Sequence, residues 1–538
     1  MCSIASITSV KILEPALMIR MEDVCQDLSS RILHVGSALG HGNIDYVSLA
    51  NSTLKVIVQA AMTGVERSWA DLYLTFSIAI ILFWLGLVIY GTFSADKSSW
   101  NILSLKTSLA ELCDMRNRGS RLDVLDVFRV VAIVWVVANH LGSEGRVDIL
   151  DRLPSAQQFK SAVHNHPIFG ALLGNSALGV EIFLVLSGLL AARSWSRKAD
   201  TKFEGHYIPF MLHRWFRLTP VVAAFVFLAT GPIMKLALPK FHTTMVSTCG
   251  VKGILSHLTL TGNLQSTPTC LGYLWYLGLD MQLYSMAPFL LHYLYKKPRM
   301  ALALIAFLIS FSATLRAIYC QVYGVCNKSD VDIPFISYPG QTPEMLAEIY
   351  AGLWEMYSRP YTKCGPFLIG LLVGKITTLD FEHVQGLLKF TPGRARRLLY
   401  FGFGLAMATI YAILPEYWSP NQGNTLYNTL YSALFRTVFA GAVSVMILAL
   451  YFNTEKTQIG RYWAIIAKLT FNAYLIHMPV VYLFNFVPAF QAAETVFALF
   501  AALPFALSIS FALAFVFYMF VESPFARISA RVVRQISA

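Results

Sequence analysis

Two ionisable side chains stand at either end of one apolar stretch, VFRVVAIVWVVANH, which runs from Val127 to His140. Arg129 and His140 are eleven residues apart, which is about 1,100° of α-helix, so both side chains lie on one face roughly 16 Å apart. A guanidinium group binds phosphate and an imidazole accepts protons. This face could therefore hold an anionic donor at one end and carry out acid–base chemistry at the other.

Further ionisable residues lie at similar depths in other apolar stretches. Glu181 is in LGVEIFLVLSGLL, Asp280 in LWYLGLDMQLYSMAP and His477 in FNAYLIHMPV. Ionisable groups within a membrane are costly and often mark a functional site. A carboxylate beside a histidine fixes its tautomer and stabilises the imidazolium, so two histidines and two acids at matched depth could form a general base. The alternative is that these groups only join helices through hydrogen bonds.

Arginines also lie near the ends of apolar stretches. Arg214 and Arg217, in FMLHRWFRLTP, are expected at the mouth of a span. There they could bind the phosphates of a nucleotide-bearing donor, or only anchor the helix at a positively charged membrane face. Arg316 and Arg436 are near the opposite ends of their spans, and we expect them to extend to the membrane surface.

Other reaction types have little support in the sequence. Ser187 and Gly188 in LSGLL favour close helix contact, and no GxSxG pattern accompanies the serine to make it a nucleophile. The sequence has no CxxC, HExxH or Walker pattern, so we predict neither a metal site nor nucleotide hydrolysis.

The elements that must position these residues are membrane helices. Of the 538 residues, 56% are hydrophobic and 13% are charged, whereas soluble domains have about 25% charged residues. Uncharged runs of about 20 residues recur, so we predict an all-α, polytopic membrane protein with about eleven transmembrane helices. The predicted spans are 72–93, 124–143, 173–193, 218–238, 272–294, 300–320, 364–379, 397–415, 432–452, 464–487 and 496–520.

The net charge of +12 indicates topology, because basic residues concentrate in alternate loops. The sequence has no basic block interleaved with aromatic residues, so we predict no nucleic-acid surface. The basic loops are expected in the cytosol, together with the tail 528–538. The N-terminal segment 1–71 and the loops 239–271 and 321–363 then lie outside or in a lumen. Both the endoplasmic reticulum and the plasma membrane suit this arrangement.

Sequons and cysteines fall on the predicted outer side. Asn51 and Asn327 begin NST and NKS, which are candidate glycosylation sites. Cys249 and Cys270 share one outer loop, and Cys320 and Cys326 share another. An oxidising compartment would allow either pair to form a disulfide, although spacing does not fix connectivity and buried thiols are the alternative.

Six stretches together resemble the acyltransferase-3 family of multi-pass membrane acyltransferases, and in particular its nose-resistant-to-fluoxetine-like animal branch, common in nematodes and insects. They follow the family's order and cover residues 121–527, which we expect to form an acyltransferase-3-like membrane domain after a first helix at 72–93. The stretches are LDVFRVVAIVWVVANH, LGVEIFLVLSGLLAA, HRWFRLTPVV, LWYLGLDMQLYSMAPFLL, AYLIHMPVVYLF and VESPFARI.

The resemblance implies O-acyl transfer across a membrane, from cytosolic acyl-CoA to a hydroxyl of a lipid, carbohydrate or other acceptor. Carried over by position, Arg129 and His140 match the family's paired essential residues, and Asp280 matches the acid of its DMQ motif. We therefore predict that His140 is a general base that removes the proton of the acceptor hydroxyl, while Glu181 or Asp280 orients it. The family's donor-side basic pair and its small-residue stretch correspond to Arg214, Arg217, Ser187 and Gly188.

Some positions depart from the family pattern. Glu181 stands where an aspartate is expected, and Val127 and Leu189 replace a glycine and a phenylalanine. The long cysteine-rich outer domain of the animal branch is reduced to about seventy residues with two cysteines, Cys2 and Cys25. These departures leave open a catalytically silent, lipid-transporting or regulatory protein of the same fold.

Overall fold

The computed structural model describes residues 72–94, 99–114, 121–142, 165–166, 168–175, 177–196, 203–266, 270–326, 343–387, 390–415, 425–453, 460–491 and 495–537. Contacts divide the chain into two units, Met1–Ile81 and Leu82–Ala538. The described part of the first unit is helical, and the second unit contains every site discussed below. The predicted segment 1–71 and the sequons at Asn51 and Asn327 lie outside the described residues.

Each predicted span is a helix in the structure, and the described residues contain no β-strand. Eight helices are long and apolar enough to cross a membrane, so the protein is an all-α, multi-pass membrane protein. The remaining three of the eleven predicted spans are the helices Trp275–Lys296, Pro360–Ile376 and Pro392–Tyr411. The helices are α1 (Leu72–Phe93), α2 (Val124–Gly142), α3 (Leu178–Ser196), α4 (Phe203–Thr230), α5 (Trp275–Lys296), α6 (Pro298–Val322), α7 (Pro360–Ile376), α8 (Pro392–Tyr411), α9 (Thr425–Tyr451), α10 (Arg461–Leu483) and α11 (Val496–Phe517).

Several helices begin a few residues before their predicted starts, and two begin at least seven residues early. Helix α4 begins at Phe203 rather than at 218, and α9 begins at Thr425 rather than at 432. The polar residues of these first turns resemble loop composition, although some of their side chains have tertiary partners. His206 packs against the Trp195 ring, and the Tyr427 hydroxyl donates to the Ala412 carbonyl oxygen. Arg214 and Arg217 therefore lie in the middle of α4, not at its mouth as predicted.

Short helices fill segments that hydropathy treats as loops. The predicted tail 528–538 falls largely within a terminal helix, Ser523–Ser537. The outer loops predicted at 239–271 and 321–363 also contain helices. The short elements are Leu105–Cys113, Pro239–Phe241, the π-helical turn His242–Val246, Val251–Leu258 and Pro343–Ser358.

Helices α3 and α7 pack closely through glycines. A β-carbon on Gly188 would overlap the carbonyl oxygen of Phe367, and one on Gly370 would overlap that of Val185. Small residues allow two backbones to approach this closely inside a membrane. Gly188 is therefore a packing position covered by α7, which is the close helix contact that the sequence favoured, and not a surface open to a donor.

Two disulfides join the cysteine pairs singled out in the sequence, Cys249 with Cys270 and Cys320 with Cys326. The first closes the 239–271 segment. Within it, His257 Nε2 donates to the carbonyl oxygen of Cys270 at 2.7 Å. The ring of Phe241 lies edge-on to that of Tyr482, with centroids 5.5 Å apart, so this segment covers the C-terminal part of α10.

Candidate active site

A chamber of about 490 Å³ opens beside α2, between α3, α4, α5, α10 and the segment that follows α11. Arg129 and Val136 both line it from α2, and Val136 is one helical turn before His140. The predicted face of α2 therefore borders a real cavity. The lining residues are Glu111, Arg129, Val136, Val180, Phe183, Arg217, Tyr276, Leu277, Ala467, Lys468, Thr470, Phe471, Tyr474, Tyr518, Glu522, Ser523 and Ala526.

A second cavity of about 370 Å³, which we call the vestibule, shares Glu111, Arg129 and Lys468 with the chamber. The two differ in charge. The chamber lining has three cationic residues, Arg129, Arg217 and Lys468, against two carboxylates, whereas carboxylates outnumber cations in the vestibule. An anionic ligand is therefore better accommodated in the chamber. The vestibule's charged residues are Glu111, Asp114, Asp123, Asp126, Arg129 and Lys468.

The chamber's cations differ in how far they are already engaged. Arg129 Nη1 forms an ion pair with Asp126 at 2.9 Å. The Lys468 ammonium donates to the carbonyl oxygens of Glu111, Leu112 and Asp114, at 2.9, 2.9 and 3.2 Å, which terminates helix Leu105–Cys113. Arg217 presents an exposed side chain to the chamber.

His140 lies against His477, with ring centroids 5.1 Å apart. His477 is fully buried, and its Nδ1 donates to the carbonyl oxygen of Tyr474 at 2.6 Å. Tyr474 lines the chamber, so the histidine pair is one helical turn beyond the chamber's inner end. The structure thus brings together two of the predicted site residues, from α2 and α10.

Glu181 is engaged elsewhere. Its Oε1 accepts from the Lys363 ammonium and from Arg436 Nη1, which lies 2.5 Å away. Glu181 and Lys363 are wholly buried. Because two cations hold this carboxylate, the prediction that Glu181 orients His140 is wrong. Glu181 instead joins α3, α7 and α9.

Sequence reasoning misjudged the cations of this buried cluster. Lys363 is just before the predicted start of span seven, but α7 begins at Pro360. Arg436 and Arg316 were expected to reach the membrane surface, yet both are buried. Arg316 donates to the carbonyl oxygens of Ser432 and Met356 at 2.9 and 3.0 Å. A lone glutamate in a span is a signal that a buried cation is needed, although it does not say which one.

Asp280 also has a partner of its own. It forms an ion pair with Arg214 Nη2, and the same nitrogen donates to Ser187 Oγ at 3.1 Å. The Arg214 guanidinium lies over the Tyr284 ring, 4.0 Å from its centroid. The structure brings together three of the predicted site residues, Arg214, Ser187 and Asp280, as an ion-paired helix contact outside the chamber lining. Because these two residues pair with each other, the predictions that Arg214 binds donor phosphate and that Asp280 orients His140 are wrong.

Comparison with known proteins assigns this fold. The acyltransferase domain profile matches residues 122–519. This chain belongs to the acyltransferase-3 family. The matched range runs from the start of α2 to the turn after α11 and includes most of the chamber lining, the histidine pair and both buried ion-pair clusters.

Two curated relatives of this acyltransferase-3 protein come from Caenorhabditis elegans. It is 58% identical over 451 residues to "Regulator of hypoxia-inducible factor 1", covering 84% of this chain and 88% of that protein. It is 23% identical over 417 residues to "Nose resistant to fluoxetine protein 6", covering 71% of this chain and 48% of that protein. No solved structure matches it significantly.

Proposed function

We propose that this protein is a membrane O-acyltransferase that moves an acyl group from cytosolic acyl-CoA to a hydroxyl of a lipid, carbohydrate or other acceptor. The observation that supports this most is the common face of α2, where Arg129 and Val136 border the chamber and His140 follows one turn later. The family match adds the reaction class.

The donor would place its phosphates on Arg217 and Arg129, two of the chamber's cations. The chamber's inner lining is apolar or aromatic, with Val136, Leu277 and Tyr276 among its residues, and suits the pantetheine arm and the acyl chain. The thioester would then reach the inner end of the chamber, close to His140. This arrangement requires the Arg129 end of α2 to face the cytosol, as the positive-inside pattern of the loops indicates.

In the chemical step, the acceptor hydroxyl oxygen bonds to the thioester carbonyl carbon while the carbon–sulfur bond breaks. A ring nitrogen of His140 takes the hydroxyl proton and returns it to the departing thiolate, which leaves as the CoA thiol. The histidine is thus regenerated after each turnover. General base catalysis of this kind contributes typically 10²–10⁴-fold to the rate.

The test is transfer of label from radioactive acyl-CoA to membrane acceptors by the purified protein in nanodiscs. We expect turnover by the wild-type protein, and loss of at least roughly 10²-fold in His140→Ala without loss of folded protein. Half-buried His292, on α5 and outside the chamber lining, gives the matched control His292→Ala, which should retain full turnover. Turnover by His140→Ala equal to that of the wild-type protein would show that His140 is not the general base.

A regulatory role is the second candidate, because the relative with 58% identity is named a regulator. In that case the chamber would bind a ligand without transferring an acyl group. Combined replacement of Arg129 and His140 separates the two in cells that depend on this protein. A preserved phenotype favours regulation without transfer, whereas a phenotype equal to gene loss favours the enzyme.

A further inference from the structure

The hydrogen bonds of His477 fix its tautomer. Its Nδ1 lies 2.6 Å from the carbonyl oxygen of Tyr474, and a carbonyl oxygen can only accept. Nδ1 therefore carries a proton, and in the neutral ring the lone pair is on Nε2. That Nε2 atom is buried and has no hydrogen-bond partner among the described residues. A buried acceptor of this kind is costly unless something donates to it.

The rings around His477 narrow the choice of donor. Tyr273 and Tyr474 have ring centroids 5.5 and 5.8 Å from that of His477. Their hydroxyl groups donate elsewhere, Tyr273 to the carbonyl oxygen of Leu475 at 2.9 Å and Tyr474 to that of Tyr273 at 2.5 Å. His140 is the third ring, tilted by 43° with its centroid 5.1 Å away. At this separation, rotation of a ring would bring a His140 nitrogen within hydrogen-bond distance of His477 Nε2.

We infer that His477 is a positioning residue for His140, accepting a hydrogen bond at Nε2 from the His140 ring nitrogen that does not face the acceptor hydroxyl. This inference rests on the proposed function. The hydroxyl proton goes to one nitrogen of His140, and the N–H on the other nitrogen stays hydrogen-bonded to His477. An imidazole here does what a carboxylate does in other histidine-based sites, since Glu181 and Asp280 are both ion-paired away from His140.

Two substitutions of His477 distinguish positioning from structural support. In His477→Gln the amide oxygen is near the place of Nε2 and can still accept. In His477→Asn the amide nitrogen is near the place of Nδ1, so the bond to Tyr474 survives but the acceptor is lost. We expect His477→Asn to lower kcat roughly 100-fold with an unchanged KM for acyl-CoA, and His477→Gln to stay within about 10-fold of wild type.

The inference would be overturned if both variants lost the same factor in kcat. It would also be overturned if only KM for acyl-CoA changed. Monodisperse protein and unchanged thermal unfolding are required of both, and His477→Ala serves as a third variant if the asparagine protein does not fold. The effects of His140→Ala and His477→Asn should also be non-additive, because each removes the same base from action.

A measurement that needs no turnover separates this inference from the proposed function. With ¹⁵N-labelled histidine, His477 should show an Nδ1-protonated ring whose Nε2 shift is that of a hydrogen-bonded acceptor. His140→Ala should move that shift to the free value. An unchanged shift overturns the inference whatever the turnover. If the shift reports the hydrogen bond between His140 and His477 but the wild-type protein transfers no acyl group, the proposed function is overturned and the histidine contact stands.

Discussion

Arg436 Nη1 lies 2.5 Å from Glu181 Oε1, although 255 residues separate the two along the chain. The same oxygen accepts from Lys363. Aromatic rings surround the cations, with Tyr357 beneath both the Lys363 ammonium at 4.3 Å and the Arg436 guanidinium at 5.0 Å. This cluster fixes the relative positions of α3, α7 and α9, and therefore supports the side of the bundle on which α2 packs.

Glu181→Gln should destabilise the protein. It leaves two buried cations without their anion, and breaking a buried ion pair from one side costs about 3–5 kcal/mol. Unfolding in mixed micelles measures the loss, with exposed Glu382→Gln as a control that should change little. If the cost comes from the uncompensated charges, adding Lys363→Met and Arg436→Met should recover much of it. A stable Glu181→Gln protein would contradict this account.

The glycine contact between α3 and α7 gives a second stability prediction. Gly370→Ala would place a methyl group against the carbonyl oxygen of Val185, and overpacking typically costs 1–3 kcal/mol. Gly404→Ala on α8 is the matched control, because a β-carbon there meets nothing within 4 Å. That change should be neutral or slightly stabilising, since alanine favours helix. Similar unfolding temperatures for the two variants would count against close α3–α7 packing.

Arg214 and Arg217 should differ in what their loss does. Arg217→Ala removes a chamber cation and should weaken acyl-CoA binding about 10- to 100-fold, the value of a hydrogen bond to a charged group. Arg214→Ala should instead lower stability, because it leaves the buried carboxylate of Asp280 unpaired. Isothermal titration and thermal unfolding on both variants check this contrast. The opposite assignment of effects would refute the chamber as the donor site.

The stability of the disulfide-closed outer segment should depend on pH through His257. Burial lowers the pKa of His257 below its ordinary value of 6.5, with its bond to the Cys270 carbonyl opposing this in part. The folded state therefore favours the neutral ring. The contribution of His257 to the free energy of unfolding is full above pH 6.5 and falls as the pH decreases below that value. The free energy of unfolding should change with pH by at most about 1.4 kcal/mol per pH unit through this one group.

His257→Gln is the comparison for that effect, because the amide nitrogen can still donate to Cys270 but does not titrate. The difference in unfolding temperature between wild type and His257→Gln should shrink or reverse between pH 7.5 and pH 5. Parallel curves across this range would show that His257 is not buried in the neutral form.

The helices were predictable and the partners of their buried charges were not. Apolar runs located all eleven long helices, because the bilayer imposes a length and a composition on each span. The early starts of α4 and α9 were missed, because their first turns carry polar residues, such as Glu204 and Asn428, that resemble loop composition. Whether Glu181 meets His140 or Lys363 depends on how three helices pack, which hydropathy does not encode.

The site was predicted in part for the same reason. Arg129 and His140 share a helix, so periodicity alone places them on one face, and the structure puts Arg129 on the chamber. His477 joins them from α10, as matching depth suggested. Matching depth also suggested Glu181 and Asp280, which shows that depth alone does not give the direction in which a side chain points.

The most direct test of the central claim is a cryo-EM map of the protein with a non-hydrolysable acyl-CoA analogue. We predict density for the phosphates at Arg217 and Arg129, and for the thioester mimic at the inner end of the chamber, within reach of His140. Density on another surface, or an analogue that ends in a compartment closed off from His140, would contradict it.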